Sequence, residues 1–367
     1  MLNIKQVSPN MSQLELDNLT RSIDQKWLTE GPFCEKFLNS SLALTGAKYA
    51  VLAPNGTLGL YLALLALDLE PGSEVIVPSF TFYASAMSVY FAGLVPVFVD
   101  VDPKTYNLDI EKTKDLISSR TSAIMPVHIY GQSADMDSLV SLCKGTNIKI
   151  IEDAAQGYGV FYKGRHTGTI GDVGVISFFA DKTITMGEGA LILTNDEKIY
   201  EKLRLLRNQG RPNSGTFIHP SLGMNFRITD LQAAVGCAQL ERLPDIIASR
   251  LLNHKLYQNK LGECENLTLH QPTVGSDYIP FRFAFTSEHK EQIFNYLESN
   301  GVQTRSFFYP MHMQPKLTQY RKSDDMSVSE KLFKTGVCLP IHGGLTNEQI
   351  DAISSLVTEV STGKLTS

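Results

Sequence analysis

Lys182 stands alone between two apolar runs, GVISFFA before it and ALILTN after it, within SFFADKTITMGEGA at 177–190. Both runs have the length and the β-branched or aromatic content of strands. The join is rich in Thr and Gly, with Gly187 and Gly189 supplying permissive backbone. An amine so placed is either a solvated loop lysine or a desolvated one. Desolvation favours the neutral, nucleophilic form. Ser177, five residues earlier on the same run, brings a hydroxyl to the same region.

Three other features fall where apolar runs end. Asp153 closes IKIIED, where an unpaired carboxylate is costly to bury, so it either caps the next helix or meets a buried cation. Gln156, three residues on, is able to present its amide to the same space. Asn55-Gly56-Thr57 opens the apolar helix GLYLALLAL. Free N–H groups and a hydroxyl at the positive end of a helix suit a phosphate, and the same residues also serve as a plain N-cap. Phe82, in PSFTFYAS after EVIVPS, offers an aromatic face or fills the core. A phosphate cradle, an acid at a strand end, a semi-buried lysine and an aromatic face are the parts of a pyridoxal-phosphate site. The lysine anchors the aldehyde, and the acid keeps the pyridine nitrogen protonated so that the ring serves as electron sink. His128 at the end of AIMPVHI, the nearby Tyr130, and Arg305 and His312 around SFFYPMH are candidates for substrate contact. A satisfied buried histidine, an exposed arginine and core aromatics are the alternatives for these positions.

The elements that must position these groups alternate. GTLGLYLALLALDL and SADMDSLVSLCK have helical patterns, while EVIVPS, VPVFVDV, AIMPVHI, IKIIED, GVISFF and ALILT are short apolar runs. The alternation predicts an α/β domain whose mostly parallel sheet is covered on both faces. ITDLQAAVGCAQLERLPDIIASRLLNHKLYQNKLG reads as one or two helices leading out of it. Beyond, FRFAFTS and VQTRSFFY look like strands, and EHKEQIFNYLESNG and TNEQIDAISSLVTEV like helices. The expected division is a large domain over 1–246 and a smaller α+β domain over 247–367, with the boundary inside a helix.

At 367 residues the chain is long enough for two such domains. Hydrophobic residues at 43% and charged residues at 19% suit a soluble globular protein. A net charge of −5 offers no basic footprint for nucleic acid, and no run of like charges marks a membrane patch. The N-terminus lacks a signal-peptide apolar core, and no segment approaches ~18 uninterrupted apolar residues, so a cytoplasmic setting is expected. Cys34, Cys143, Cys237, Cys264 and Cys338 are scattered without CxxC spacing, which argues against a disulfide framework and against a metal site.

Over nearly its whole length the chain resembles the sugar aminotransferases of the DegT/DnrJ/EryC1/StrS family. The motifs are WLTEGPF (27–33), NGT (55–57), VIVPSFTFYAS (75–85), PVHIYGQ (126–132), IIEDAAQ (150–156), the Lys182 segment, LRNQGR and MNFRITDLQAAVG (224–236). The resemblance implies fold-type I architecture, a large domain with a mostly parallel seven-stranded sheet plus a smaller C-terminal α+β domain. It implies pyridoxal 5′-phosphate, alternating with pyridoxamine 5′-phosphate, as cofactor. By that likeness Lys182 matches the cofactor-anchoring and catalytic lysine, Asp153 the partner of the pyridinium nitrogen, Gln156 the residue near the phenolic oxygen, and Phe82 the stacking aromatic. Gly56, Thr57 and Ser177 match phosphate ligands. Asn225 matches an asparagine that reaches the cofactor of the neighbouring subunit, which implies a homodimer with shared active sites. The implied reaction moves an amino group from L-glutamate to a nucleotide-linked keto sugar for surface polysaccharide such as lipopolysaccharide O-antigen. The subgroup most similar in the Lys182 motif, VHIYGQ and SFFYPMH aminates C4 of a GDP-linked 4-keto-6-deoxymannose. A dTDP- or UDP-keto sugar, or a free keto sugar acid such as an octulosonate, would use the same machinery. Dehydratase relatives carry histidine in place of the lysine, so Lys182 favours transamination. A non-catalytic regulator on the same fold is the alternative from another class, and the intact lysine, aspartate and phosphate residues speak against it. Two departures stand out: GEGA with Ala190 where GEGG is usual, and the loop NQGRPNSGTFIHPSLGMNF.

Overall fold

Strands as continuously apolar as these cannot leave a face in water, and seven of them pair into one sheet buried on both sides. The computed structural model describes residues 2–213 and 215–363; Met1, Ser214 and 364–367, which fall within the expected domain spans, lie outside the described residues. In chain order come β1 (Tyr49–Ala53), β2 (Glu74–Pro78), β3 (Val95–Val99), β4 (Thr121–Ile124) and β5 (Lys149–Asp153). A small hairpin of β6 (Phe161–Tyr162) and β7 (Arg165–His166) follows, then β8 (Val173–Ser177) and β9 (Ala190–Thr194). The sheet order is β1-β9-β8-β5-β4-β2-β3, with β9 antiparallel to both neighbours and every other pair parallel. This is the mostly parallel seven-stranded α/β sheet that the sequence led us to expect. Its seventh strand, β1, lies in KYAVLAPNG, a segment that the six apolar runs leave out.

Side-chain alternation divides the core. In β2, Val75 and Val77 join the cluster that includes Leu60, Leu62, Val175 and Ile192, while Ile76 joins Val97, Leu139 and Ile150 on the opposite face. The first face is covered by α3 (Gly56–Ala66), α4 (Tyr83–Phe91) and α7 (Glu197–Arg207), and the second carries α5 (Ile110–Leu116) and α6 (Met136–Cys143). Elsewhere Phe33 and Phe37 of α2 (Pro32–Thr45) join Phe178, Ile246 and the Ala233 face of α8 (Asp230–Glu241), and α1 (Gln13–Asp24) packs on α8. AIMPVHI does not continue as a strand to His128. β4 stops at Ile124, because Pro126 has no N–H for the ladder, and only an isolated bridge joins Val127 to Asp153.

The long helical stretch is two helices. α8 ends at Glu241 and α9 (Leu243–Leu261) restarts with Pro244 in its first turn, where a missing N–H costs nothing. The expected 246/247 division thus falls within α9. Beyond it, β10 (Thr268–Leu269), β11 (Phe283–Thr286), β13 (Gly336–Leu339) and β12 (Arg305–Ser306) form an antiparallel sheet, in that order. α10 (Lys290–Ser299), α11 (Ser327–Thr335) and α12 (Asn347–Ser361) complete this unit. Its core gathers Phe283, Phe285, Ile293, Val337 and Ile353. Ile4 joins that core and bridges Val302, so the first residues of the chain pack with this later unit.

Two buried histidines give the fold an acid limit. In His166, Nδ1–H donates to Thr167 O at 2.5 Å and Nε2 accepts from Gly159 N at 2.8 Å, a pattern that only the neutral ring satisfies. Burial pushes its pKa down to about 4, and that of His270 down to about 3. An unfolded histidine takes its proton near pH 6.5, so between about 6.5 and 4 the unfolded chain binds more protons. Stability is therefore full above this window and falls as pH drops through it, by about 3 kcal/mol for His166 alone. Urea midpoints at pH 7 and pH 5 check this; equal midpoints would contradict it.

Candidate active site

β1 and β8 both run opposite to β9 between them, and β5, β4 and β2 run parallel to β8. Their carboxyl ends therefore lie along one edge of the sheet, which is where ligands bind in open α/β folds. Gly56 and Thr57 follow β1, Phe82 follows β2, Asp153 ends β5 and Ser177 ends β8.

Gly56 is the first residue of α3, after Asn55, whose side chain accepts from Leu58 N at 3.0 Å. The N–H groups ahead of Leu58 have no partner within the helix. A Cβ on Gly56 would sit 3.0 Å from Ser177 Cβ. Glycine thus lets the helix N-terminus meet the Ser177 hydroxyl, with the exposed Thr57 beside them. The three form a cradle of donors at the positive end of a helix, the chemistry of an anion site.

Asp153 is buried. Its Oδ2 accepts from Ser85 Oγ at 2.7 Å and its Oδ1 from Ala155 N at 3.1 Å, and Ser85 is held in turn by Thr81 Oγ1 at 2.8 Å. Burial pushes the carboxyl above its ordinary range, against the opposing pull of Ser85, Ala155 and the Lys182 charge. An acid in that state gains from a cation brought against it. Phe82 precedes α4 and is 60% exposed, its ring steeply inclined to that of Phe308, which leaves aromatic surface uncovered for a ligand. Gln156 is buried, and its Oε1 accepts from Tyr130 N at 2.8 Å.

Lys182 stands on a turn past the end of β8 rather than on the strand, its N–H donating to Phe179 O at 3.0 Å. Nζ lies 4.7 Å from the centroid of the Phe281 ring. Burial lowers its pKa below the usual lysine value; Asp181 opposes this, Arg282 adds to it, Asp153 opposes and Arg305 adds. The lowered pKa makes a neutral amine accessible, as a nucleophile or proton acceptor requires. In GEGA, Gly187 takes φ +77° while Ala190 begins β9, so the residue after Gly189 needs no left-handed backbone.

The substrate candidates divide. His128 is fully buried: Nδ1 accepts from Ala134 N at 3.1 Å and Nε2–H donates to Glu152 Oε2 at 2.8 Å. Tyr130 is packed among Phe80, Phe307 and Phe308, at a positive φ of 55°. His312 holds Ser79 Oγ through Nδ1 at 2.7 Å and faces Glu330 through Nε2 at 3.3 Å. All three side chains are buried, the two histidines hydrogen-bonded within the chain and Tyr130 packed among aromatic rings. Arg305 is exposed on β12, and its charge is felt at Lys182. Asn225 is exposed, bridges Asn208, and its side chain accepts from Arg227 N at 3.1 Å.

Four residues at the site escaped the sequence reading. Ser85 orients Asp153. Asp181 Oδ2 accepts from Arg282 Nη2 at 2.6 Å, and Arg250 Nη2 donates to Lys182 O at 3.3 Å. Arg282 had a signal of the same kind as Lys182, a lone cation inside the apolar run IPFRFAF. The donor cradle, the buried acid, the uncovered Phe82 ring and the desolvated amine fit pyridoxal phosphate as a set.

A model of the DegT/DnrJ/EryC1/StrS aminotransferase family matches residues 9–358. The GDP-perosamine synthase of Caulobacter vibrioides is 38% identical over 364 residues, covering 97% of this chain and 98% of the relative. The aminotransferase of Psychrobacter cryohalolentis superposes with a TM-score of 0.91 at 29% identity, covering 97% of this chain and 98% of that one. A variant of GDP-4-keto-6-deoxymannose-3-dehydratase with bound GDP-perosamine superposes with a TM-score of 0.90 at 26% identity, covering 97% and 100%.

Proposed function

The chain belongs to the DegT/DnrJ/EryC1/StrS aminotransferase family, and from that premise we propose that it moves the amino group of L-glutamate to GDP-4-keto-6-deoxymannose, giving GDP-perosamine. The observation that carries this reading is the end-to-end likeness to a GDP-perosamine synthase. Lys182, in place of the histidine that marks dehydratases, supports transamination over deoxygenation.

Pyridoxal phosphate, when bound, supplies the electron sink and carries the amino group between the two half-reactions. Lys182 would anchor it, Asp153 would face its pyridine nitrogen, and Gln156 would lie near its phenolic oxygen. Gly56, Thr57 and Ser177 would hold its phosphate, and Phe82 would cover one ring face. Nζ of Lys182 takes the proton from Cα of the amino donor and holds it for return, which its lowered pKa favours. Arg305, exposed beside the site, is the side chain suited to an anionic group of a substrate.

The active unit in this reading is a homodimer. Asn225 is exposed, its side chain turned back on Arg227 N, and it follows a loop that exposes Phe217, Ile218, Leu222 and Met224. Apolar exposure of that extent suits a covered face. Among the described residues no helix is long and apolar enough to cross a membrane. With five free cysteines, the cytoplasm is the setting we assign, supplying an amino sugar for a surface polysaccharide.

The test is direct. Protein loaded with pyridoxal phosphate is given L-glutamate and, one at a time, GDP-, dTDP- and UDP-linked keto sugars, and mass spectrometry follows 2-oxoglutarate and the amino sugar. Amination of GDP-4-keto-6-deoxymannose is expected. Turnover only with a dTDP or UDP sugar would overturn the substrate, and loss of a hydroxyl without gain of an amine would overturn transamination.

A further inference from the structure

The two oxygens of Asp181 have different surroundings. Oδ2 accepts from Arg282 Nη2 at 2.6 Å, whereas the buried Oδ1 has no hydrogen-bond partner. That free oxygen lies 3.8 Å from Nζ of Lys182. Beside it is a space of about 20 Å³, room for one water. The amide of Gln6 and Nδ1 of His342 border the same space, also without partners. Two cations share one aromatic ring: Nζ of Lys182 lies 4.7 Å, and Cζ of Arg282 4.2 Å, from the Phe281 centroid. Asp181 is the carboxylate between them.

We propose that Asp181 is a positioning residue, docking the free amine of Lys182 on Oδ1 while Arg282 fixes the carboxylate through Oδ2. The inference rests on Lys182 being the cofactor's anchor. An anchoring amine is released in each half-reaction and must be kept within reach of the reacting carbon. A fixed counter-charge 3.8 Å away does this without a covalent tie. The charges facing Lys182 are Asp181, Arg282, Asp153 and Arg305, and Arg250 faces Asp181 from α9. His342 is the other titratable group at the cavity. Without Asp181 the amine confronts Arg282 and Arg305 with only Asp153 opposed to them.

The test uses the full-length, cofactor-free protein. Lys182 is labelled with trace acetic anhydride across a pH series, and peptide mass spectrometry gives the pH midpoint of its reactivity. Asp181→Asn keeps the size of the side chain and an oxygen for Arg282. It is expected to lower the midpoint by about one unit, making labelling about tenfold faster at a fixed pH below it. Arg282→Gln removes the opposing cation and is expected to raise the midpoint. Shifts of opposite sign are not what a general loosening of the fold gives. An unmoved midpoint in Asp181→Asn, or shifts of the same sign in both variants, overturns the assignment. In parallel, pyridoxal phosphate is added to wild-type protein and fixed with borohydride. Cofactor found on another lysine overturns the anchor reading and the inference with it. Cofactor on Lys182 with an unmoved midpoint overturns the inference alone.

Discussion

Lys182→Ala is expected to fold normally and to lose at least about three orders of magnitude in kcat, within the range that a positioned general acid–base group contributes. The fold survives because Nζ makes no hydrogen bond among the described residues. Its nearest counter-charge is Asp181 at 3.8 Å, and burial disfavours its charged form. Removing it relieves a buried cation beside Arg282 instead of breaking a network. The thermal midpoint should therefore stay within a few degrees of wild type. Activity falls because no other candidate at the strand ends supplies an amine. Lys182→Arg separates charge from chemistry: it keeps a cation at the site, but a guanidinium neither deprotonates nor anchors an aldehyde, so it should be equally inactive. Steady-state rates of 2-oxoglutarate formation for the three proteins decide the matter. Turnover of either variant within tenfold of wild type would remove Lys182 from its role.

Much of this site was legible because its residues interrupt apolar runs. Lys182, Asp153 and Gly56 each come after residues that must be buried, so a polar or side-chain-free residue there asks for a reason. The helix-flanked sheet was legible for the same cause, since continuous apolar strands need cover on both faces. The buried pairing of His128 was not legible, because its partner lies on a neighbouring strand. The doublet Glu152-Asp153 places its two acids on opposite faces of β5. Asp153 turns to Ser85, while Glu152 accepts from His128 and from the N–H groups of Gly168, Ile170 and Gly171. Alternation alone says that only one of two adjacent acids faces the site, which leaves the other to seek a buried partner such as His128. The aromatic surroundings of Tyr130 were not legible either, since Phe80, Phe307 and Phe308 are brought to it by the packing of the later unit against the strand ends. The Asp181–Arg282 pair spans 101 residues of chain, and no local pattern announces a contact of that range.

Asp153→Asn is the sharper test of the cofactor geometry, because it should move stability and activity in opposite directions. The amide has nearly the carboxylate's shape: its oxygen is able to accept from Ala155 N, and its NH2 to donate to Ser85 Oγ, whose own O–H then turns to Thr81 Oγ1. What it lacks is charge. In the cofactor-free protein burial raises the Asp153 pKa, so the folded state prefers the protonated form. Such a group contributes stability below the unfolded carboxylate pKa and loses that contribution as pH rises through the folded value. Asparagine has no such loss, so the cofactor-free variant should be at least as stable as wild type at pH 7. The two should converge as pH falls below about 4. Adding pyridoxal phosphate should reverse the order. A cation against the carboxylate offsets its desolvation, and wild type then gains by ligand linkage a stabilisation that the variant lacks. Without a carboxylate at the pyridine nitrogen the electron sink is weakened, and kcat should fall by about 10²–10⁴, or about 3–5 kcal/mol of barrier. Denaturation midpoints with and without cofactor, set beside kcat, give both signs in one series. A variant destabilised in the cofactor-free state would make Asp153 a structural residue, and one that kept its kcat would place the pyridine nitrogen against some other group. A stabler empty protein that is also a poorer catalyst is the signature of a buried charge retained for its chemistry at a cost to the fold.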